Sequence, residues 1–315
     1  MRKIECFKIR ILEDNGDHIW EIGHQRPIHD IVCDHFPFKL NPVVIVADPF
    51  LFVYEAQLFL FYEMKRNYSP GVICMTSTRN LKDWTDPIVV LKEEFHLSYP
   101  YVFEDDGDVY MIPETSEVGD IRLYKANDNK LTSFSICKTL IHRDVTEGEI
   151  GFVDSSVFKK DGCYYLFTTI EQNGKNVLFL YSSDRLDGIY IPHPSSPICE
   201  SMKYGRNGGG VLEHKGLLYR VAQDCEKRYG DNIHLFVIDE LSSKLYKEHL
   251  VKESMVPIRL PFHKEGGHHF NFVKYLDKYI IVTDSKEYNT YLLSRIIHKT
   301  ICVIKETIAK GFTFK

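Results

Sequence analysis

The chain has 315 residues, 44% of them apolar and 13% aromatic, and a formal charge of -5. That is enough apolar material for a large core, and the mild acidity argues against a nucleic-acid-binding protein, which is normally basic. The eight cysteines are scattered with no Cys-x-x-Cys pair, which argues against a zinc site, and no run reaches the roughly 18 apolar residues of a membrane-spanning helix.

Residues 1–43 read as an irregular N-terminal segment broken by Pro27, Pro37 and Pro42. Within it, Lys8-Ile9-Arg10-Ile11 alternates as a strand does. The opening Met1-Arg2-Lys3-Ile4-Glu5-Cys6-Phe7 has no apolar stretch of signal-peptide length. The expected compartment is the cytoplasm, with reduced thiols.

Repeats occupy residues 44–287. Ala47-Asp48-Pro49-Phe50 opens two short apolar runs that end at Glu63. The pattern recurs from Tyr99, Asp154, Gly208 and His269, at steps of 51, 55, 54 and 61 residues. Each opening leads into an apolar run, a polar turn such as Asp161-Gly162, and a second run. Glu63, Glu114, Thr169, Gln223 and Asp284 each stand 15 residues after an opening. In the first four repeats further apolar stretches follow, such as residues 71–77 and 88–91. About four strands at a period of ~50 residues mark a propeller blade, so the spacing predicts an all-β, five-bladed β-propeller. The fifth repeat lacks an outer strand, and residues 8–11 are expected to supply it.

Residues 288–315 differ in pattern. Leu293, Ile297, Ile301, Ile304 and Ile308 fall at helical spacing, and Arg295, His298, Lys299, Lys305 and Lys310 give a basic side. A C-terminal basic amphipathic helix is expected, packed on the propeller or at a dimer contact, or lying on an anionic membrane face.

The first strand of each propeller blade lines the central channel. Asp48, Tyr99, Asp154, Gly208 and His269 are therefore expected at one mouth, beside Glu63, Glu114, Thr169, Gln223 and Asp284. A second group is cationic and glycine-rich: Lys203-Tyr204-Gly205-Arg206-Asn207-Gly208-Gly209-Gly210, and His263-Lys264-Glu265-Gly266-Gly267-His268-His269. Glycines let backbone N–H groups approach a ligand, and Arg206 can fork onto phosphate or carboxylate. If the chain is extended at His268 and His269, one of the two reaches the channel. These histidines with Asp284 or Asp48 contain metal-ligand types, but no metal or cofactor is assigned.

Ala47-Asp48-Pro49-Phe50 with Leu58-Phe59-Leu60-Phe61-Tyr62-Glu63 resembles the opening blade of the five-bladed glycosidases: arabinanases, xylosidases, invertases and mannoside phosphorylases. Val153-Asp154-Ser155-Ser156-Val157-Phe158 is similar to a later blade of that superfamily. A closer resemblance covers most of the chain. Phe95-His96-Leu97-Ser98-Tyr99-Pro100, Met111-Ile112-Pro113-Glu114-Thr115, Gln223-Asp224-Cys225 with Tyr229-Gly230, and Gly267-His268-His269 resemble the N-terminal domain of plant glucosamine inositolphosphorylceramide transferase. The separate glycosyltransferase domain of the plant protein has no counterpart in these 315 residues.

The resemblance implies sugar chemistry. Inverting cleavage uses two carboxyl groups about 6.5–9.5 Å apart, one acid and one base. Asp48 is the expected base, Glu114 the acid, and Asp154 orients the sugar or tunes the acid. Glu63, Tyr99, Arg206, Gln223, Asp224, His268 and His269 are the expected substrate contacts. The cationic cluster suits a nucleotide- or phosphate-activated donor. The expected function is a cytoplasmic glycosyltransferase in surface-polysaccharide or glycolipid assembly. An inverting glycoside hydrolase or phosphorylase, or a non-catalytic glycan-binding module, are the other readings.

Overall fold

The computed structural model describes residues 3–36, 38–146, 149–291, 296–297 and 299–301. Most of them form five antiparallel sheets, the blades of a propeller. Blade one runs outward through Val43–Tyr54, Gln57–Arg66, Val72–Thr78 and Ile88–Leu91. Blade two uses Ser98–Asp105, Asp108–Thr115, Asp120–Ala126 and Phe134–His142. Blade three starts with Val153–Lys160, Cys163–Gln172 and Lys175–Ser183. In blade four the inner strand is split into Arg206–Asn207 and Leu212–His214, both paired with Leu217–Asp224.

Blade five takes its inner strands, Phe270–Tyr275 and Lys278–Asn289, from the C-terminal part of the chain. Its outer strands are Ile4–Asp14 and Arg26–Ile31. Ile4–Asp14 pairs with Lys278–Asn289 without a break, from Ile4 opposite Asn289 to Asp14 opposite Tyr279. Residues 8–11 thus belong to a long strand, and the N-terminal segment expected to be irregular supplies two strands, Ile4–Asp14 and Arg26–Ile31, with irregular connections between and after them. Pro27 fits because it lies on the outer edge of the sheet, where one side of the strand has no ladder.

The core lies between blades. Phe61 with Met111 joins blades one and two, Ile112 with Leu166 joins two and three, and Phe167 with Ile238 joins three and four. Val221 with Phe270 joins four and five, and Ile9, Ile11 and Val282 with Leu60 join five and one. The inner strands therefore bury both faces, which explains near-continuous apolar runs such as Leu58-Phe59-Leu60-Phe61, while outer strands such as Tyr246–Lys252 keep much of their surface exposed.

The tail is only a small extra. Tyr288 and Asn289 belong to the last strand rather than to a helix. Residues 296–297 and 299–301 are helical, and the rest of the predicted amphipathic helix lies outside the described residues.

Candidate functional site

The inner strands of the first three blades break register at their opening residue. The ladder skips between Ala47 and Phe50, between Ser98 and Tyr101, and between Val153 and Ser156. Asp48, Tyr99 and Asp154 sit in these bulges with φ of 51°, 45° and 51°. Aspartate tolerates the left-handed region, whereas a tyrosine there is held against a cost of order 1 kcal/mol. Each bulge frees a backbone N–H from the ladder. The Tyr99 N–H donates to Asp48 Oδ2 at 3.2 Å, the Asp154 N–H to Glu114 Oε2 at 3.3 Å, and the Asp48 N–H to Asp284 Oδ2 at 3.3 Å. Each opening amide thus holds a carboxylate of the preceding blade. The fifteen-residue offset in the sequence reflects hairpin register: Ala47 pairs with Glu63, Ser98 with Glu114, and Val153 with Thr169.

One buried group centres on Asp48, which is 4% exposed. His268 Nε2 stands 3.4 Å from Asp48 Oδ1, and His268 Nδ1 2.6 Å from Asp284 Oδ2. Burial opposes charge on His268, but the two acids outweigh it and push its pKa up to about 9. Asp284 is also opposed by burial. The His268 cation, together with the His268 and His269 amides donating to Oδ1 at 2.8 and 3.1 Å, holds it below its usual value. Burial raises Asp48 well above the usual carboxylate range; the His268 cation opposes this, while Glu63, Asp154 and Asp284 add to it. His269 Nδ1 lies 3.8 Å from Asp48 Oδ1, with its ring against Phe50 and Tyr99. Burial depresses its pKa to about 3, so it stays neutral. Both histidines therefore border Asp48, not one. The strand begins only at Phe270, and the preceding turn folds both amides onto one carboxylate.

A second group centres on Asp154, 2% exposed. Arg206 Nε donates to Asp154 Oδ2 at 2.5 Å and Gln223 Nε2 to the same oxygen at 3.0 Å. Asn207 Nδ2 donates to the Asp154 carbonyl at 3.0 Å. Glu114 borders this group. Ser116 Oγ donates to Glu114 Oε1 at 2.8 Å, and Arg206 Nη2 stands 3.8 Å from Oε2. Burial and then the Asp154 charge push Glu114 up to about 7, against the pull of Arg206. The Arg206 guanidinium lies 5.1 Å from the centre of the Tyr229 ring, and Tyr229 also borders His268. Tyr229 is 39% exposed and forms the lip of the site. Glu63 Oε1 stands 3.2 Å from His96 Nε2. His96 Nδ1 accepts the Gly71 N–H at 2.9 Å, which places the proton of a neutral ring on Nε2; burial opposes charge on the ring, but the Glu63 contact outweighs it and raises the His96 pKa. His96 is not among the site residues that the sequence marks, whereas Tyr229 lies in Arg228-Tyr229-Gly230-Asp231, which the sequence leaves open as a rim loop over the site or an ordinary solvated turn. His96 precedes the opening of blade two by three residues, a position that the repeat offsets do not mark.

Asp224 departs from the expected set. Adjacent strand residues face opposite ways. Gln223 reaches Asp154, so Asp224 turns to His234, with Oδ2 3.1 Å from Nε2, and accepts the Glu226 N–H at 2.9 Å. It lines a separate cavity of about 420 Å³ with Lys203, Lys227 and Arg259. The glycine run is not an open cradle either. The Gly208 N–H donates to Val221 O at 2.9 Å, and Gly208 O accepts the Phe270 N–H at 2.8 Å. A Cβ on Gly209 would stand 2.4 Å from Phe270 O, and one on Gly210 2.5 Å from Tyr101 Cε2. These glycines let blade four approach the backbone of blade five and the Tyr101 ring of blade two closely.

In the channel, Asp48, His268 and Asp284 bring donor atoms within 4.8 Å of one another and could hold a cation. With His268 protonated, the two acids already have a counter-ion there.

Residues 7–285 match the family described as "Glucosamine inositolphosphorylceramide transferase 1, N-terminal". The chain belongs to this family. It is 32% identical over 254 residues to glucosamine inositolphosphorylceramide transferase 1 of Arabidopsis thaliana, covering 78% of the chain but 31% of that protein. The chain thus spans about a third of the curated relative. Among solved structures, the alpha-L-arabinanase of Cellvibrio cellulosa in complex with arabinohexaose is similar, with a TM-score of 0.52 and 17% identity over 65% of this chain and 77% of that one. The GH32 beta-fructofuranosidase of Bombyx mori is also similar, with a TM-score of 0.53 and 15% identity over 76% of this chain and 54% of that one. These structural likenesses concern the fold. Within the family domain the described groups span four blade boundaries, from Asp284 through Asp48 and Glu114 to Arg206.

Proposed function

We propose that the chain is a carbohydrate-active enzyme that transfers a glycosyl group in the assembly of a surface polysaccharide or glycolipid. The observation that carries this reading is Glu114: a carboxyl with a pKa near 7, beside a guanidinium, with its side chain 10% exposed. A group partly protonated at neutral pH can give a proton to a leaving oxygen or take one from an acceptor hydroxyl. Arg206 offers charge to a phosphate on an activated donor, and Tyr229 offers a ring face to a sugar. Asp48 is the second carboxyl. Its use as a base depends on the His268 cation, because burial works against its ionised form. The transferase name of the plant relative supports the sugar chemistry.

This reading sets the reaction in the cytoplasm, with peripheral contact at the inner membrane face through residues 288–315. Phe36, Phe38 and Leu40 are 63%, 54% and 60% exposed, on the loop after Asp34. The Asp34 carbonyl accepts from Tyr291, where the basic tail begins. Among the described residues no helix is long and apolar enough to cross a membrane.

A non-catalytic glycan-binding module is favoured by one observation: Asp154 is already neutralised by Arg206 at 2.5 Å. Incubation with nucleotide sugars, aryl glycosides, and aryl glycosides plus phosphate separates the readings. Transfer predicts nucleotide release, hydrolysis predicts phosphate-independent aglycone release, and phosphorolysis requires phosphate. Glycan binding with no turnover on any substrate would overturn the enzymatic reading in favour of the module.

A further inference from the structure

The two ends of the propeller meet at a cluster outside the channel. Cys33 and His35 follow the outermost closing strand, Arg26–Ile31, and Glu287 and Asn289 end the last strand, Lys278–Asn289. Glu287 and Asn289 are two residues apart on a strand and share a face. The Cys33 thiol donates to Glu287 Oε1 at 3.0 Å, and His35 Nε2 stands 3.5 Å from the same oxygen. Donor atoms of Cys33, His35 and Glu287 all lie within 4.8 Å of one another. Lys8 Nζ holds the other carboxylate oxygen, Oε2, at 2.9 Å, which leaves Oε1 facing the cluster. Asn289 Nδ2 meets Glu287 Oε1, His35 Nδ1 and Cys33 Sγ at 2.9, 3.4 and 3.6 Å. One amide nitrogen has two hydrogens for these three neighbours. Turned by half a rotation, the same amide presents Oδ1 as a fourth ligand. Cys33 is 2% exposed, whereas the His35 side chain is 54% exposed and gives an entry path.

We propose that Cys33, His35 and Glu287, completed by Asn289, bind a thiophilic divalent cation of the zinc class and staple the ring closure. Sulfur, imidazole and carboxylate are the ligand types zinc takes in four-coordinate sites, at about 2.0–2.3 Å each. Such bonds separate ligand atoms by roughly 3–4 Å, a spacing this cluster can reach by small side-chain shifts. On binding, the Cys33 S–H bond breaks, its proton leaves to solvent, and the thiolate electron pair forms the metal bond. The Cys33 thiolate and the Glu287 carboxylate then balance the 2+ charge. A hard cation such as Mg²⁺ prefers all-oxygen ligands and is not expected to bind.

The test is titration of the full, EDTA-treated chain with Co²⁺, followed by absorption. The expected result is a thiolate-to-cobalt charge-transfer band at equimolar metal, removed by Zn²⁺ and untouched by Mg²⁺. The band should persist in Cys137→Ser, whose thiol is exposed, and disappear in Cys33→Ser. His35→Ala changes an exposed side chain and should weaken cobalt binding without altering the far-ultraviolet circular dichroism. The exposed His18, Glu21 and His24 cluster contains no sulfur and cannot produce this band. No charge-transfer band in the wild-type chain, or a band that survives in Cys33→Ser, would overturn the proposal.

Discussion

The backbone N–H of Tyr99 donates to Asp48 Oδ2 at 3.2 Å across the boundary between blades one and two, and both residues are buried. Asp48 is therefore a structural latch as well as a candidate catalytic group. Replacing it by alanine leaves a buried amide without an acceptor, at a cost of about 1–3 kcal/mol. Asp48→Asn keeps an acceptor oxygen and should recover much of that loss. Urea denaturation midpoints of the two variants check this; equal losses would show that the amide contact contributes nothing.

Arg206 and Asp154 form a charged pair at 2.5 Å, with side chains 14% and 3% exposed. Removing one partner strands a buried charge, so Arg206→Ala should lose about 3–5 kcal/mol. Adding Asp154→Asn to that variant removes the stranded charge and should restore part of the stability. A double-mutant cycle on unfolding free energies measures the coupling.

The titrating groups predict an uneven pH profile. Glu114 is raised from 4.5 to about 7. Between those values the folded protein holds a proton that the unfolded chain has released, so this group lowers stability as pH rises, by about 3 kcal/mol in all. His268, raised from 6.5 to about 9, likewise contributes stability below pH 6.5 that is lost as pH climbs through 9. His269, lowered from 6.5 to about 3, acts in the opposite direction: its stabilisation is present above 6.5 and is lost as pH falls toward 3. Glu114→Gln should remove the decline between pH 4.5 and 7 relative to wild type. Histidine ring NMR should show one site titrating near pH 9 and another still neutral at pH 5.

Ring closure rests on a strand far from its partner in sequence. Ile9 and Ile11 are fully buried between blades five and one. Truncating either to alanine should cost about 2–5 kcal/mol. Thermal melts would show a single cooperative loss if the closing strand is integral, and a separate early transition if it is only appended.

Much of the fold was legible because the signals are local. Apolar runs, Asp-Gly turns and the fifteen-residue offset between Ser98-Tyr99 and Glu114 all come from single hairpins. The closing pair was only partly legible, since Ile4 opposite Asn289 leaves no mark at either end of the sequence. Asp224 was misread because strand facing depends on register, and Gln223 takes the channel side. His268 and His269 defied the alternation rule because the strand starts one residue later. The glycine run read as a ligand cradle, but steric contact with Phe270 and Tyr101 explains it. His96 reaches the site from a loop, whose position no period encodes, whereas the Arg228–Asp231 loop that carries Tyr229 was open to reading as a rim.

The central claim is that Glu114 at the channel mouth performs proton transfer during glycosyl chemistry. The most direct measurement compares wild type with Glu114→Gln on whichever donor the substrate panel identifies, following turnover against pH. We predict a fall in kcat of about 10²–10⁴-fold with donor binding retained, and loss of the inflection near pH 7 that belongs to Glu114. Unchanged kcat with the inflection intact in Glu114→Gln would contradict the account.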